Sequence, residues 1–119
     1  MEVETPYPPD TLKYIEEKYP ETARMFEQIQ HDQYLLFCKK QADYGPSNIA
    51  MGTQLATDED KRLSLTALII RLNDKINRLI NLVIKENRNP QNEPVLDAFN
   101  DISVYGIIAV LVNKGAWGK

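Results

Sequence analysis

Three carboxylates, Glu93, Asp97 and Asp101, recur every four residues in the C-terminal quarter of the chain. On a helix this spacing sets them along one face over about two turns. Beyond Asp101 the same face turns apolar, through Val104, Ile108 and Leu111. An acidic stripe that runs into a buried one is how a helix carries carboxylates into a cleft. Acids in a first turn also answer the helix dipole, which accounts for Glu93 and at most Asp97. It does not account for Asp101, near the middle of an apolar helix, so Asp97 and Asp101 form the first candidate pair.

A second group, Arg71, Asp74, Lys75 and Arg78, shares one helical face by its steps of three and four. It reads in two ways. As a solvated ladder, Asp74 bridges Arg71 and Arg78, and each pair contributes only about 0.3–0.5 kcal/mol. Alternatively, three cations facing a helix with three acids make a phosphate site beside a metal site. Hard oxygen ligands on facing helices suit magnesium, with nucleotide phosphates completing its shell. His31 has no partner at matching spacing and reads as a structural or surface histidine. No Gly-rich phosphate loop and no Ser/His/Asp arrangement is present.

These groups need helices to hold them. Residues 1–9, with Pro6, Pro8 and Pro9, read as an extended arm. Asp10 is placed to cap a short helix over 10–19 bearing Leu12, Ile15 and Tyr19, and Pro20 ends it and opens the next. That second helix, about 20–43, presents Phe26, Ile29, Gln33, Leu36 and Phe37 at helical spacing, with Gly45 as its stop. A long loop follows, to Thr57; loops of this length in a small helical domain are uncommon unless they do something. Thr57 then caps a third helix, about 58–88, with Asp58, Glu59 and Asp60 in its first turn.

The third helix carries a bundle seam, Leu65, Leu68, Leu72, Ile76, Leu79 and Val83, and a second apolar face through Ile70, Ile80 and Ile84. Two apolar sides need cover on both, which predicts a homo-oligomer, a dimer or larger, with this helix in the interface. The fourth helix spans about 93–114, opened by Asn92 as cap and Pro94 in the first turn, and closed at Lys114-Gly115 so that Trp117 packs back. Nothing alternates with period two. The expected fold is all-α, four helices in one domain over 10–119.

Composition narrows the function. The 119 residues suit one domain, and 43% hydrophobic with 26% charged residues is ordinary for a soluble protein. A net charge of −3 without a basic block lacks the footprint of a duplex-binding protein. One cysteine, Cys38, excludes an internal disulfide and a cysteine zinc site, and its apolar neighbours mark it as a small core residue. The acidic N-terminus is no targeting peptide. Charges interrupt every apolar run, so no membrane span is expected and the cytoplasm is the expected location.

Three ordered motifs resemble a known family. They are Lys39-Lys40-x-x-Asp43-Tyr44-Gly45-x-x-Asn48-Ile49, then Arg71-x-x-Asp74-Lys75-x-x-Arg78-Leu79, then Asn92-Glu93-x-x-x-Asp97-x-x-x-Asp101-x-x-x-Tyr105. Together they resemble the first nucleotide-modification-associated domain family, formerly a domain of unknown function and frequent in phages, over about residues 26–112. That family is similar to the MazG-like and dimeric dUTPase proteins, which are all-α, magnesium-dependent nucleoside triphosphate pyrophosphohydrolases. The resemblance implies a MazG-like four-helix bundle, an obligate oligomer, phage origin, and a nucleotide ligand in the host cytoplasm. It assigns Asp97, Asp101, Glu93 and Asp74 to magnesium, the first three as the catalytic acids, and Lys75, Arg78, Arg71, Lys40, Asp43, Tyr44 and Asn48 to the nucleotide.

One departure stands out. MazG-like enzymes carry Glu-x-x-Glu on one helix and Glu-Glu-x-x-Asp on a later one. Asp97 and Asp101 match the later motif with Asp for its first Glu, but for the Glu-x-x-Glu the second helix offers Glu27 with Gln30 where the next Glu would stand, followed by His31 and Asp32. Either Asp43 or Asp74 supplies the missing half of the cage, or the chain binds a nucleotide without cleaving it.

Overall fold

A computed structural model describes residues 10–87 and 93–119. The arm read over 1–9, the turn at Pro90 and the Asn92 cap lie outside the described residues. Within them the fold is all-α, with no strand. Helix α1 spans Thr11–Lys18, α2 Pro20–Tyr44, the short α3 Ser47–Ala50, α4 Asp58–Leu79 and α5 Glu93–Asn113. A π-helical segment, Ile80–Lys85, continues α4. By its contacts the chain divides into two units, 1–36 and 37–119, with the division inside α2.

The helix boundaries follow from local chemistry. Thr57 Oγ1 accepts the N–H of Asp60 at 3.1 Å, while Asp60 Oδ2 reaches back to the N–H of Ala56 at 3.2 Å. This is a reciprocal cap with an acid three residues after the threonine. Gly45, at φ +70°, stops α2 and returns its N–H to the Gln41 carbonyl at 2.9 Å. After α5, the N–H of Ala116 bonds the Leu111 carbonyl and that of Gly115 the Val112 carbonyl, a Schellman closure that turns the chain back toward Trp117. Asp10 precedes α1 as expected but makes no side-chain cap; its backbone carbonyl takes the Tyr14 N–H.

In the first unit, α1 and the start of α2 bury none of their residues. Leu12, Ile15, Tyr19, Phe26 and Ile29, which fall at helical spacing, are exposed. Helical periodicity is therefore present here without burial among the described residues. Lys18 lies over the rings of Tyr14 and Tyr19 and donates to the Tyr14 hydroxyl at 2.9 Å.

The second unit holds a core of Ile49, Ala50, Leu55, Leu68, Ile108, Val112 and Trp117. Helices α4 and α5 pack along each other, and α3 lies on α4. The loop after Gly45 is thus partly helical and fully anchored. Ser64, completely buried on α4, donates through Oγ to the Ile49 carbonyl at 2.6 Å. Trp117 Nε1 donates to the Pro46 carbonyl at 3.1 Å, and its ring meets Phe37 edge-on at 6.0 Å.

Three readings need correction here. Of the seam on α4, Leu68 is buried and Leu65, Leu72 and Leu79 are half-buried, but Ile76 and Val83 are exposed. Beyond Leu79 the widening to a π-helix, with the Glu86 N–H on the Asn81 carbonyl, shifts the register, which moves Val83 off the stripe; Ile76 precedes that change and is exposed within the regular helix. Cys38 is exposed, because apolar neighbours in sequence spread around all sides of a helix. Finally, α5 is long and apolar enough to cross a membrane by length and composition alone. Its three acids, Glu93, Asp97 and Asp101, fall within its first nine residues, leaving the rest uninterrupted by charge.

Candidate functional site

Two of the three motifs meet where α4 packs on α5. Lys75 Nζ lies 3.0 Å from Asp101 Oδ2, with both side chains about one-third exposed or less. The pairing follows from phase. Lys75 falls between Leu68, Leu72 and Leu79 on the inward side of α4, while Asp101 is flanked on the inward side of α5 by Ala98 and Tyr105. Each charge would be costly there alone; together they are satisfied. Asp101 is therefore not explained by the dipole or by solvent, which answers the question its mid-helix position raised.

The first motif joins through the loop. Arg71 Nη2 donates to the Asn48 carbonyl at 2.9 Å, and Gln41 Nε2 donates to Asn48 Oδ1 at 2.9 Å and to the Gly45 carbonyl. Asn48 thus sits between α2 and α4, held by both. The guanidinium occupies one of its five N–H donors in this way, and Arg71 acts first as the support of the loop. Gln41 and Ser64 escaped the sequence reading because neither carries a charge. The only signal for Gln41 is its place one turn before the helix-stopping Gly45.

The other candidates lie outside this contact. Glu93 and Asp97 are exposed on the first turns of α5, as are Asp74 and Arg78 on α4 and Lys40, Asp43 and Tyr44 at the end of α2. The ladder in which Asp74 bridges Arg71 and Arg78 does not form: among the described residues the ion pairs are Lys13–Glu17 and Lys75–Asp101. Nor do three His, Cys, Asp or Glu side chains among the described residues group as a metal cage. His31 is exposed. An apolar groove of about 340 Å³ opens nearby, lined by Phe37, Gln41, Gly45, Pro46, Leu111 and Trp117, and shares Gln41 and Gly45 with the network around Asn48.

Chemically, the contact presents an ammonium and a carboxylate in mutual hold, with Arg78 one turn beyond Lys75 and Asp97 one turn before Asp101. Magnesium is commonly bound by one or two carboxylates plus substrate phosphates, not by an all-protein cage. Asp97 and Asp101 stand one turn apart on α5, the first exposed and the second paired with Lys75. Compared with protein-family models, curated proteins and solved structures, the chain matches none.

Proposed function

We propose that the chain is a magnesium-dependent nucleotide phosphohydrolase of the MazG-like kind, phage-encoded, acting on a nucleoside or deoxynucleoside triphosphate in the host cytoplasm. The single observation that supports it is the Lys75–Asp101 contact, which joins the cationic face of α4 to the acidic face of α5. In this reading the four helices α1, α2, α4 and α5 form a bundle completed by a second copy, and the domain spans 10–119. Lys75 and Arg78 meet the phosphates, with Arg78 able to take two oxygens at once. Arg71 and Asn48 hold the loop, so that Lys40, Asp43 and Tyr44 border the bound nucleotide. Asp97 and Asp101, with Glu93 and Asp74 at the margin, would hold magnesium, which polarises a phosphoryl group and activates water when bound.

A second reading is favoured by the same contact. A lysine that already holds Asp101, together with an α2 in which Gln30 stands three residues after Glu27 where a second metal-binding glutamate would be, suits a protein that binds a nucleotide without cleaving it. One experiment separates the two. The full chain is incubated with a panel of nucleoside and deoxynucleoside triphosphates and magnesium; pyrophosphate release and thermal shift are read together. In an enzyme, Arg78→Lys lowers turnover by roughly tenfold to a thousandfold while binding changes less. In a binder there is no turnover, and the change appears as weaker binding alone. If no nucleotide binds or turns over, and Arg78→Ala changes nothing, the cationic face of α4 is a solvated surface and both readings fall.

A further inference from the structure

The groove beside Asn48 is apolar in its walls and one-sided in its hydrogen bonding. Exposed Lys119 aside, its side-chain donors are all committed within the chain. Trp117 Nε1 goes to the Pro46 carbonyl, and Gln41 Nε2 gives one hydrogen to the Gly45 carbonyl and the other to Asn48 Oδ1. A carbonyl only accepts, so the amide nitrogen is the end that faces Gly45 and Oε1 is the end left over. Among the described residues Gln41 Oε1 takes no donor. The Gly45 and Pro46 carbonyls each keep a second lone pair. Around these acceptors stand Phe37 and Trp117, edge to face at 6.0 Å, with Leu111 and Pro46.

We propose that this groove is a base pocket, which takes adenine or cytosine and reads the exocyclic amino group of the base through Gln41 Oε1. The proposal rests on the nucleotide reading above and adds the class of base. A volume of about 340 Å³ is near the lower end of the roughly 300–1,000 Å³ of ligand pockets, room for a ring system but not for a triphosphate as well. The triphosphate has its own place. Asn48, held by Gln41, accepts Arg71 Nη2 on its carbonyl at 2.9 Å, and Arg71 stands one turn before Lys75 on α4. One asparagine thus joins the groove to the cationic face, within the unit 37–119. Any flat base can stack on such walls; the acceptors select among them. Uracil and hypoxanthine put a carbonyl where cytosine and adenine put the amine, and an acceptor facing an acceptor leaves both without a partner. A proline-rich segment is the competing occupant of an aromatic groove. Its prolines have no N–H to offer, so they leave Gln41 Oε1 unanswered.

The test uses the full chain with magnesium, read by calorimetry. The probes are the non-hydrolysable α,β-methylene analogues of CTP, UTP, ATP and ITP, and inorganic tripolyphosphate. The CTP analogue binds about tenfold more tightly than the UTP analogue, and the ATP analogue exceeds the ITP analogue by a similar factor. Tripolyphosphate binds more weakly than either amino nucleotide. In Gln41→Met both ratios fall to near one. If Gln41 only held the loop, the change would weaken all four nucleotides equally and keep the ratios. Ala116→Trp, at an exposed position of the lining, fills the groove: the CTP and ATP analogues then bind no better than tripolyphosphate, whose own affinity is unchanged. Equal affinity within both pairs, or ratios that survive Gln41→Met, overturns the base pocket and leaves nucleotide binding standing. So does an Ala116→Trp protein that melts lower but binds every probe as before, which assigns the groove to packing within the chain. If neither tripolyphosphate nor any of the four nucleotides binds, the nucleotide reading falls and the base pocket with it.

Discussion

If the Lys75–Asp101 contact is a stabilising ion pair, replacing Asp101 by Asn must cost stability in the absence of metal. An empty metal site gives the opposite sign, because neutralising one of two crowded carboxylates relieves repulsion and Asn stabilises. The magnitude follows from geometry. At 3.0 Å the Coulomb term is about 1.4 kcal/mol even at the dielectric of water, and larger where water is partly excluded. Desolvation of two side chains that are 27% and 30% exposed takes back part of that gain. Exposed pairs measure about 0.2–1 kcal/mol, so this half-covered one should reach about 1–1.5 kcal/mol of coupling. The assay is a double-mutant cycle in metal-free buffer: wild type, Lys75→Met, Asp101→Asn and the double mutant, each unfolded in urea and followed by circular dichroism. Each single change should cost about 1 kcal/mol, and the double mutant should cost less than their sum by the coupling. A coupling under about 0.3 kcal/mol, or an Asp101→Asn protein more stable than wild type, refutes the reasoning. The contact would then be incidental.

Three further changes test how the loop and its helix are held. Ser64→Ala removes the donor to the buried Ile49 carbonyl and should cost about 1–3 kcal/mol in urea unfolding; an unchanged midpoint would mean that another donor satisfies that carbonyl. Trp117→Ala should cost about 3–5 kcal/mol, and Trp117→Phe clearly less, because the phenyl ring keeps most of the packing and loses the bond to Pro46. Thr57→Ala should cost about 0.5–2 kcal/mol and fray the start of α4, read as faster amide exchange at Asp60.

The parts legible in the sequence were those decided within a few residues. Thr57 with three acids, Pro20 after a short amphipathic stretch, and the glycines at 45 and 115 mark helix ends because each settles backbone groups locally. What depends on a distant surface was not legible. The same three- and four-residue steps describe Phe26 and Ile29, which are exposed, and Leu68 and Ile108, which are buried, since periodicity states which side is apolar and not whether anything covers it. The site shows the same limit. Spacing brought Asp101 and Lys75 forward as members of two separate groups, and both fall on the seam where α4 meets α5. It could not show that they would hold each other, because the phase that joins them is set by the packing of α4 on α5, with Leu68 and Ile108 buried in one core, and neither spacing states which helix faces which.

The pairing of Lys75 with Asp101 also constrains what any phosphate ligand must do. A lysine that neutralises an inward acid is not available to a phosphate at full strength, so a ligand that engages Lys75 must leave Asp101 with another cation. Magnesium bound to the nucleotide would provide one, and a metal-free nucleotide would not. Lys75 therefore couples the two halves of the contact: nucleotide and magnesium should bind together more tightly than either alone, and in Lys75→Met that cooperativity should shrink. Calorimetric titration of magnesium in the presence and absence of nucleotide measures it directly. Equal magnesium affinity with and without nucleotide, in the wild type and in Lys75→Met alike, would separate the ion pair from any ligand site and leave it as a strut between two helices.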